Sequence, residues 1–178
     1  MATWIALFRG INVGGKNVIK MAELRQSLEA LKLKNVRTYI QSGNVVFESG
    51  VKSSVSLGKK ISKQVQQEFG LTPQLLIISA GQLSNAIDSN PFAKAVLDPK
   101  LMHFFFLGEP AKKPDLDGIN AVQNSTEKFK LTDEVFYLHA PDGFRSSKLA
   151  PKVEKLLGVA ATARNFRTVE KLMAIANE

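Results

Sequence analysis

Apolar positions recur along this chain with two periods, and the alternation of those periods predicts its elements. Thr3–Phe8 is a short apolar run closed by glycine. Asn35–Gln41 and Asn44–Glu48 flank Ser42-Gly43, a two-residue hairpin signal. Thr72–Ser79 reads as a fourth strand. Between these runs the period lengthens to that of a helix: Met21, Leu24, Leu28 and Leu31 share one face, and Leu57, Ile61, Val65 and Phe69 recur every four residues. The order β-α-β-β-α-β is the ferredoxin-like arrangement.

The second half repeats that order. Lys100–Gly108 is an apolar strand, and Pro114–Gln123 opens like a helix with proline at its first position. Glu127–Leu131 and Glu134–Ala140 form a hairpin around Thr132 and Asp133. Ser146–Gly158 predicts a helix with Pro151 in its first turn and Gly158 as its stop. Val159–Ala163 is a weak last strand, and Phe166, Val169, Leu172 and Ala176 mark a terminal helix. Between the halves, Ser79 and Gln82 have capping-box spacing, and Asn90-Pro91 breaks the helix they begin. The predicted fold class is α+β, a duplication of two ferredoxin-like halves with antiparallel sheets plus a C-terminal helix. The halves are residues 1–79 and 100–178, joined by a helical connector at 80–99.

Composition narrows the chemistry. The 178 residues contain no cysteine, which excludes disulfides, thiolate metal sites and cysteine nucleophiles. The two histidines, His103 and His139, are too few for a histidine-rich metal site, so no metal is expected. Neither has the serine and carboxylate neighbours of a nucleophilic triad. No run approaches a membrane span, and the expected location is the cytoplasm, without a membrane partner. The net charge of +8 is uneven: residues 1–80 hold eleven Lys/Arg against four Asp/Glu, residues 81–178 thirteen against twelve. A basic half favours nucleic acid, nucleotides or phosphorylated metabolites over a neutral partner.

The candidate chemistry concentrates in Arg9–Asn17, "RGINVGGKN". Gly10, Gly15 and Lys16 fit the spacing of a Walker A loop, but Asn17 stands where a magnesium-binding Ser or Thr belongs, and the helical stripe starts only at Met21. A weaker anion site survives. In the predicted topology, strand three lies between strands one and two, so one rim gathers Arg9, Gly10, Asn12, Gly14, Gly15, Lys16, Asn17, Gln41, Ser42 and Asn44 beside the amino end of the first helix. Loop amides and a helix amino end attract anions. The competing reading gives the glycines to turns at positive φ and makes Asn12 and Asn44 loop caps. Near the other end, Arg164 and Arg167 flank the start of the last helix, where cations oppose the helix dipole. Arg164, Asn165 and Thr168 are therefore expected to face the same cleft, around a shared anion. The aromatic run at Phe104–Phe106 reads as core, and base stacking of the RNA-recognition type lacks its exposed aromatics.

Three motifs in order, "RGINVGGKN" with "MAELR", "VRTYIQSGNVVF" and "TARNFRTVEKL", resemble the bacterial domain-of-unknown-function family 1697. Arg9 to Gly15, Tyr39 to Asn44, and Thr162, Arg164, Asn165, Thr168 and Lys171 match its motifs. The resemblance implies ferredoxin-like halves and brings no established substrate, cofactor or catalytic residue. Three functions follow as expectations: binding of a small phosphorylated or anionic ligand, nucleic-acid association through the basic half, or an enzyme using the same cleft. No general base is identifiable for the last, and cofactor and oligomeric state are unspecified.

Overall fold

The structure is a computed structural model and describes residues 1–94 and 97–178. The chain divides into two compact units, Met1–Asn85 with Lys171–Glu178, and Ala86–Glu170. Two residues of the expected connector, Ala95 and Val96, lie outside the described residues. Among the described residues no helix is long and apolar enough to cross a membrane.

The first unit runs β1 (Ala2–Arg9), α1 (Met21–Ala30), β2 (Lys34–Tyr39), β3 (Asn44–Ser49), α2 (Ser54–Phe69) and β4 (Gln74–Ser79). Its four strands order as β2-β3-β1-β4, all neighbours antiparallel. Alternation along β1 explains the core: Trp4, Ala6 and Phe8 pack with Leu24 and Leu28 of α1 and Leu57, Ile61 and Val65 of α2. Ile5 and Leu7 point to the opposite face and are also fully buried. A central strand buried on both faces reads as the unbroken apolar run that the sequence shows. Ser53 caps α2 by accepting from the Ser56 amide at 3.2 Å, and Gly70 ends it at φ +66°.

The second unit has the same strand order. β5 (Met102–Leu107), α4 (Leu116–Val122), β6 (Lys128–Leu131), β7 (Val135–His139), α5 (Val153–Leu157) and β8 (Ala161–Asn165) form an antiparallel sheet ordered β6-β7-β5-β8. α3 (Ala80–Asp88) precedes it in the chain, and α6 (Phe166–Ala176) follows. The capping box at the start of α3 is complete: the Ser79 amide donates to Gln82 Oε1 at 3.0 Å, and Ser79 Oγ accepts from the Gln82 amide at 3.1 Å.

Three of the departures from the boundaries the sequence suggests have a visible physical cause. The β2–β3 connection is a four-residue loop, Ile40–Gly43, because Tyr39 and Asn44 already pair and Asn44 Nδ2 donates to Tyr39 O and Ser42 Oγ across it. The helix expected from Ser146 begins as a 3-10 turn at Ala150–Lys152, with Ser147 Oγ accepting from the Ala150 amide, and becomes α5 at Val153. The last strand lies two residues later than its apolar run, since pairing with β5 runs from Leu107–Ala161 to His103–Asn165.

Gly43 adopts φ +76°, and a Cβ there would sit 2.6 Å from both Phe8 Cβ and Ile11 Cδ1. Gly43→Ala is expected to lose about 3 kcal/mol, from left-handed strain and overpacking together. Gly50→Ala, where a Cβ meets open space, should stay within about 0.5 kcal/mol. Urea denaturation of the two variants checks the difference.

His103 is buried in β5, stacked on Phe144 at 4.1 Å. Burial pushes its pKa down to about 4, outweighing the attraction of the Leu101 backbone. Below the ordinary value of 6.5, the unfolded chain takes up a proton that the folded chain refuses. Stability should therefore fall between pH 6.5 and pH 4 by up to about 3 kcal/mol, and His103→Gln should remove that part of the pH dependence in denaturation measured across this range.

Candidate functional site

The sequence between β1 and α1 is anchored twice. Ile11 and Ile19 are buried in the first unit's core, and the segment between them projects as a small hairpin. The Asn12 amide donates to Asn17 O at 3.1 Å and the Lys16 amide to Val13 O at 3.0 Å. Gly14 and Gly15, at φ +56° and +71°, form its tip. Two successive positive φ angles are what a tight antiparallel turn needs, and they account for the paired glycines. Lys16 thus lies in a hairpin, five residues before α1 opens at Met21, and not at the head of a helix as a Walker loop requires.

Asn12 joins this loop to its neighbour. Its Oδ1 accepts from the Ile19 amide at 2.8 Å, while Nδ2 donates to Ile19 O and Gln41 O, both at 2.9 Å. Asn17 Nδ2 donates to Gly10 O at 2.8 Å, and the Phe8 amide donates to Gly43 O at 2.9 Å. One edge of the sheet therefore brings together Arg9, Gly10, Asn12, Gly14, Gly15, Lys16, Gln41, Ser42 and Asn44. Asn12 and Asn17 spend their side chains on backbone groups of the loops, and Asn44 is fully buried with its Nδ2 bonded within the β2–β3 loop. They shape the rim: Asn12 and Asn44 are the caps that the loop-cap reading names, and Asn17 is one that it does not.

The surface they support is cationic and partly apolar. Arg9–Lys20 and Tyr39–Asn44 contain no acidic residue. Lys16 has no ion-pair partner among the described residues, and Lys20 pairs with Glu23 at 3.1 Å. No side chain caps the amino end of α1 at Lys20. Val13, Val18 and Ile40 are 63%, 66% and 51% exposed. Val18 adjoins Ile19 and Ile40 adjoins Gln41, the two residues held by the same Asn12 nitrogen. Ile40 carries φ +51°, a left-handed conformation that a β-branched residue adopts only under strain. The exposed aliphatics and the strained Ile40 were not among the residues picked from sequence. A β-branched residue beside a β-former signals strand, and nothing local announces the left-handed turn.

Of the C-terminal motif, Thr162, Arg164, Asn165 and Thr168 lie in the second unit, and Lys171 begins the terminal stretch assigned to the first. Thr162 and Thr168 are buried, and the Thr168 amide donates to Asn165 Oδ1 at 2.9 Å, making Asn165 the cap of α6. Arg164 pairs opposite Phe104 in the sheet and donates to Ala163 O at 2.8 Å. Burial pushes its guanidinium down to about 10, so it stays charged at neutral pH.

A separate cavity of about 400 Å³ opens at the free edge of β2, lined by Arg25, Glu29, Asn35, Arg37, Glu48 and Glu178. Its polar groups are mostly paired, Arg25–Glu29 at 2.9 Å, Asn35 to Glu48 at 2.7 Å and Arg37–Glu178 at 2.8 Å, while the buried Arg37 Nε has no hydrogen-bond partner among the described residues. Only the Arg25–Glu29 spacing of four hints at it in the sequence.

Comparison with known proteins agrees with this architecture. The chain belongs to the family described as "Protein of unknown function (DUF1697)", whose profile matches residues 1–137 and so includes the first two motifs. The solved structure of the conserved bacterial protein SP0830 from Streptococcus pneumoniae is similar over 98% of both chains, with a TM-score of 0.73 and 26% identity. No curated protein matches the chain.

The Asn12 carboxamide makes three bonds to backbone groups in a half-buried site. Asn12→Gly, which keeps the positive φ available, should cost about 2–3 kcal/mol in chemical denaturation. Lys16→Ala should change stability by less than about 0.5 kcal/mol.

Proposed function

We propose that the chain binds a small phosphorylated or otherwise anionic ligand at the rim formed by the glycine loop and the Ile40–Gly43 loop. The observation that carries this reading is the absence of any carboxylate from the two rim segments, which present Arg9, Lys16 and Lys20 beside the hairpin-tip amides. Gly14 and Gly15 leave their amides clear of side chains, and an anion held there gains from both backbone donors and lysine. The uncapped amino end of α1 adds its partial positive charge. Val13, Val18 and Ile40 then lie where an apolar portion of the ligand would rest.

The strain at Ile40 has a use under this reading. Left-handed, β-branched residues persist where a fold holds them for a purpose, at a cost of about 1–3 kcal/mol. Contact with the ligand is such a purpose. The proposal rests on the first unit alone and assigns no catalytic step, since the rim holds no residue suited to general-base work.

Thermal denaturation with inorganic phosphate, nucleotides and sugar phosphates tests it. A ligand present at one hundred times its dissociation constant should stabilise the protein by about 2.7 kcal/mol, and Lys16→Ala should abolish most of that shift. The reading fails if none of these anions shifts the wild-type transition, or if Lys16→Ala leaves the shift intact. Ile40→Asn, which tolerates the left-handed region, should raise intrinsic stability by about 1 kcal/mol while weakening the ligand shift.

A further inference from the structure

A second feature of the first unit is independent of the rim. This unit holds twelve Lys/Arg against five Asp/Glu, whereas the second holds twelve against eleven. All five carboxylates of the first unit are engaged: Glu23 with Lys20, Glu29 with Arg25, Glu48 with Asn35, Glu178 with Arg37, and Glu68 with Ser27 and Gln64. Among the described residues, Lys32, Lys59, Lys60 and Lys63 have no acidic partner. Lys59 and Lys63 stand on α2 opposite the buried stripe of Leu57, Ile61 and Val65, and both are exposed. Lys60 reaches across to donate to Leu31 O at 2.9 Å, which brings it beside exposed Lys32 at the end of α1.

The arrangement works against the fold's own stability. Like charges four residues apart on a helix repel, and Lys59 and Lys63 are so placed. Lys32 adopts φ +62° at the position after the helix where glycine is the unstrained choice. The dipole of α1 favours cations at its carboxyl end, which accounts for Lys32 and Lys60 but not for Lys59 and Lys63.

We propose that this outer face, centred on Lys32, Lys59, Lys60 and Lys63, docks the phosphodiester backbone of double-stranded nucleic acid. The charge is the complement of a phosphate array. Four helical residues rise about 6 Å, close to two base steps at 3.4 Å each along one strand. An anionic membrane is the weaker occupant. The apolar face of α2 is already committed to the protein core, so the helix has little but exposed Val55 to insert into a bilayer.

Fluorescence anisotropy of a labelled 20-base-pair duplex, titrated with the full chain in 50 mM and 200 mM NaCl, tests the proposal. Four phosphate contacts predict that affinity falls about 150-fold between those salts, and Lys59→Gln/Lys63→Gln should reduce the fall to about 12-fold. Lys130→Gln, exposed on β6 of the second unit, should leave the salt dependence as in the wild type. Circular dichroism of the double variant checks that α2 remains folded. The proposal is overturned if no duplex binding occurs at 50 mM NaCl, if the folded double variant keeps the wild-type salt dependence, or if the chain co-sediments with phosphatidylglycerol vesicles but leaves the duplex unbound.

Discussion

One carboxamide sets the geometry of the rim where the glycine loop meets the β2–β3 loop. Asn12 bonds both polar groups of Ile19 and the carbonyl of Gln41, and so ties the glycine loop to the β2–β3 loop. Without those bonds the glycine loop keeps only its own cross-links, such as Asn17 Nδ2 to Gly10 O, and loses its side-chain tie to Gln41. With them, six residues of exposed hairpin are held rigidly against a four-residue turn. The buried flanks, Ile11 and Ile19, then transmit that rigidity to the core under β1. Preorganisation of this kind lowers the ordering cost that a ligand would otherwise meet.

The same economy explains why the rim uses three asparagines. A carboxamide has donors and an acceptor on one short side chain, and asparagine tolerates the left-handed backbone that Asn12 and Asn17 adopt. Serine would lose one bond of the set, and aspartate would place charge against carbonyl oxygens. The result is a surface whose shape is fixed by neutral groups, leaving its charge to Arg9, Lys16 and Lys20. Shape and charge are thus carried by different residues, which can be altered separately.

Much of the fold was legible because period and propensity agree. The Leu57, Ile61, Val65 stripe and the apolar run through β1 each have a single reading, and both strand orders follow from the element order. Legibility failed where local preference and tertiary demand diverge. Tyr39, Ile40 and Gln41 look like strand, yet the Asn44 carboxamide closes the turn before Ile40 can pair. Ser146 to Lys152 looks like the first turns of a helix, yet Ser147 caps a 3-10 turn first. The rim's residues were identifiable, but their division into struts and presenting groups was not. That division depends on which carbonyl each asparagine reaches across 7 to 29 residues of sequence. The Asn165 cap of α6 was hidden for a related reason, since the apolar run marking the last strand ends at Ala163, two residues short of the end of the segment that pairs.

The central claim is that the rim is a binding surface for anions. Its most direct test is an amide-resolved magnetic resonance titration of the full chain with inorganic phosphate. Saturable shifts at Gly14, Gly15, Lys16 and the first turn of α1, with Lys59 and Lys63 unmoved, are the predicted result. Shifts that do not saturate, or that saturate on α2 while the hairpin tip stays still, would contradict it.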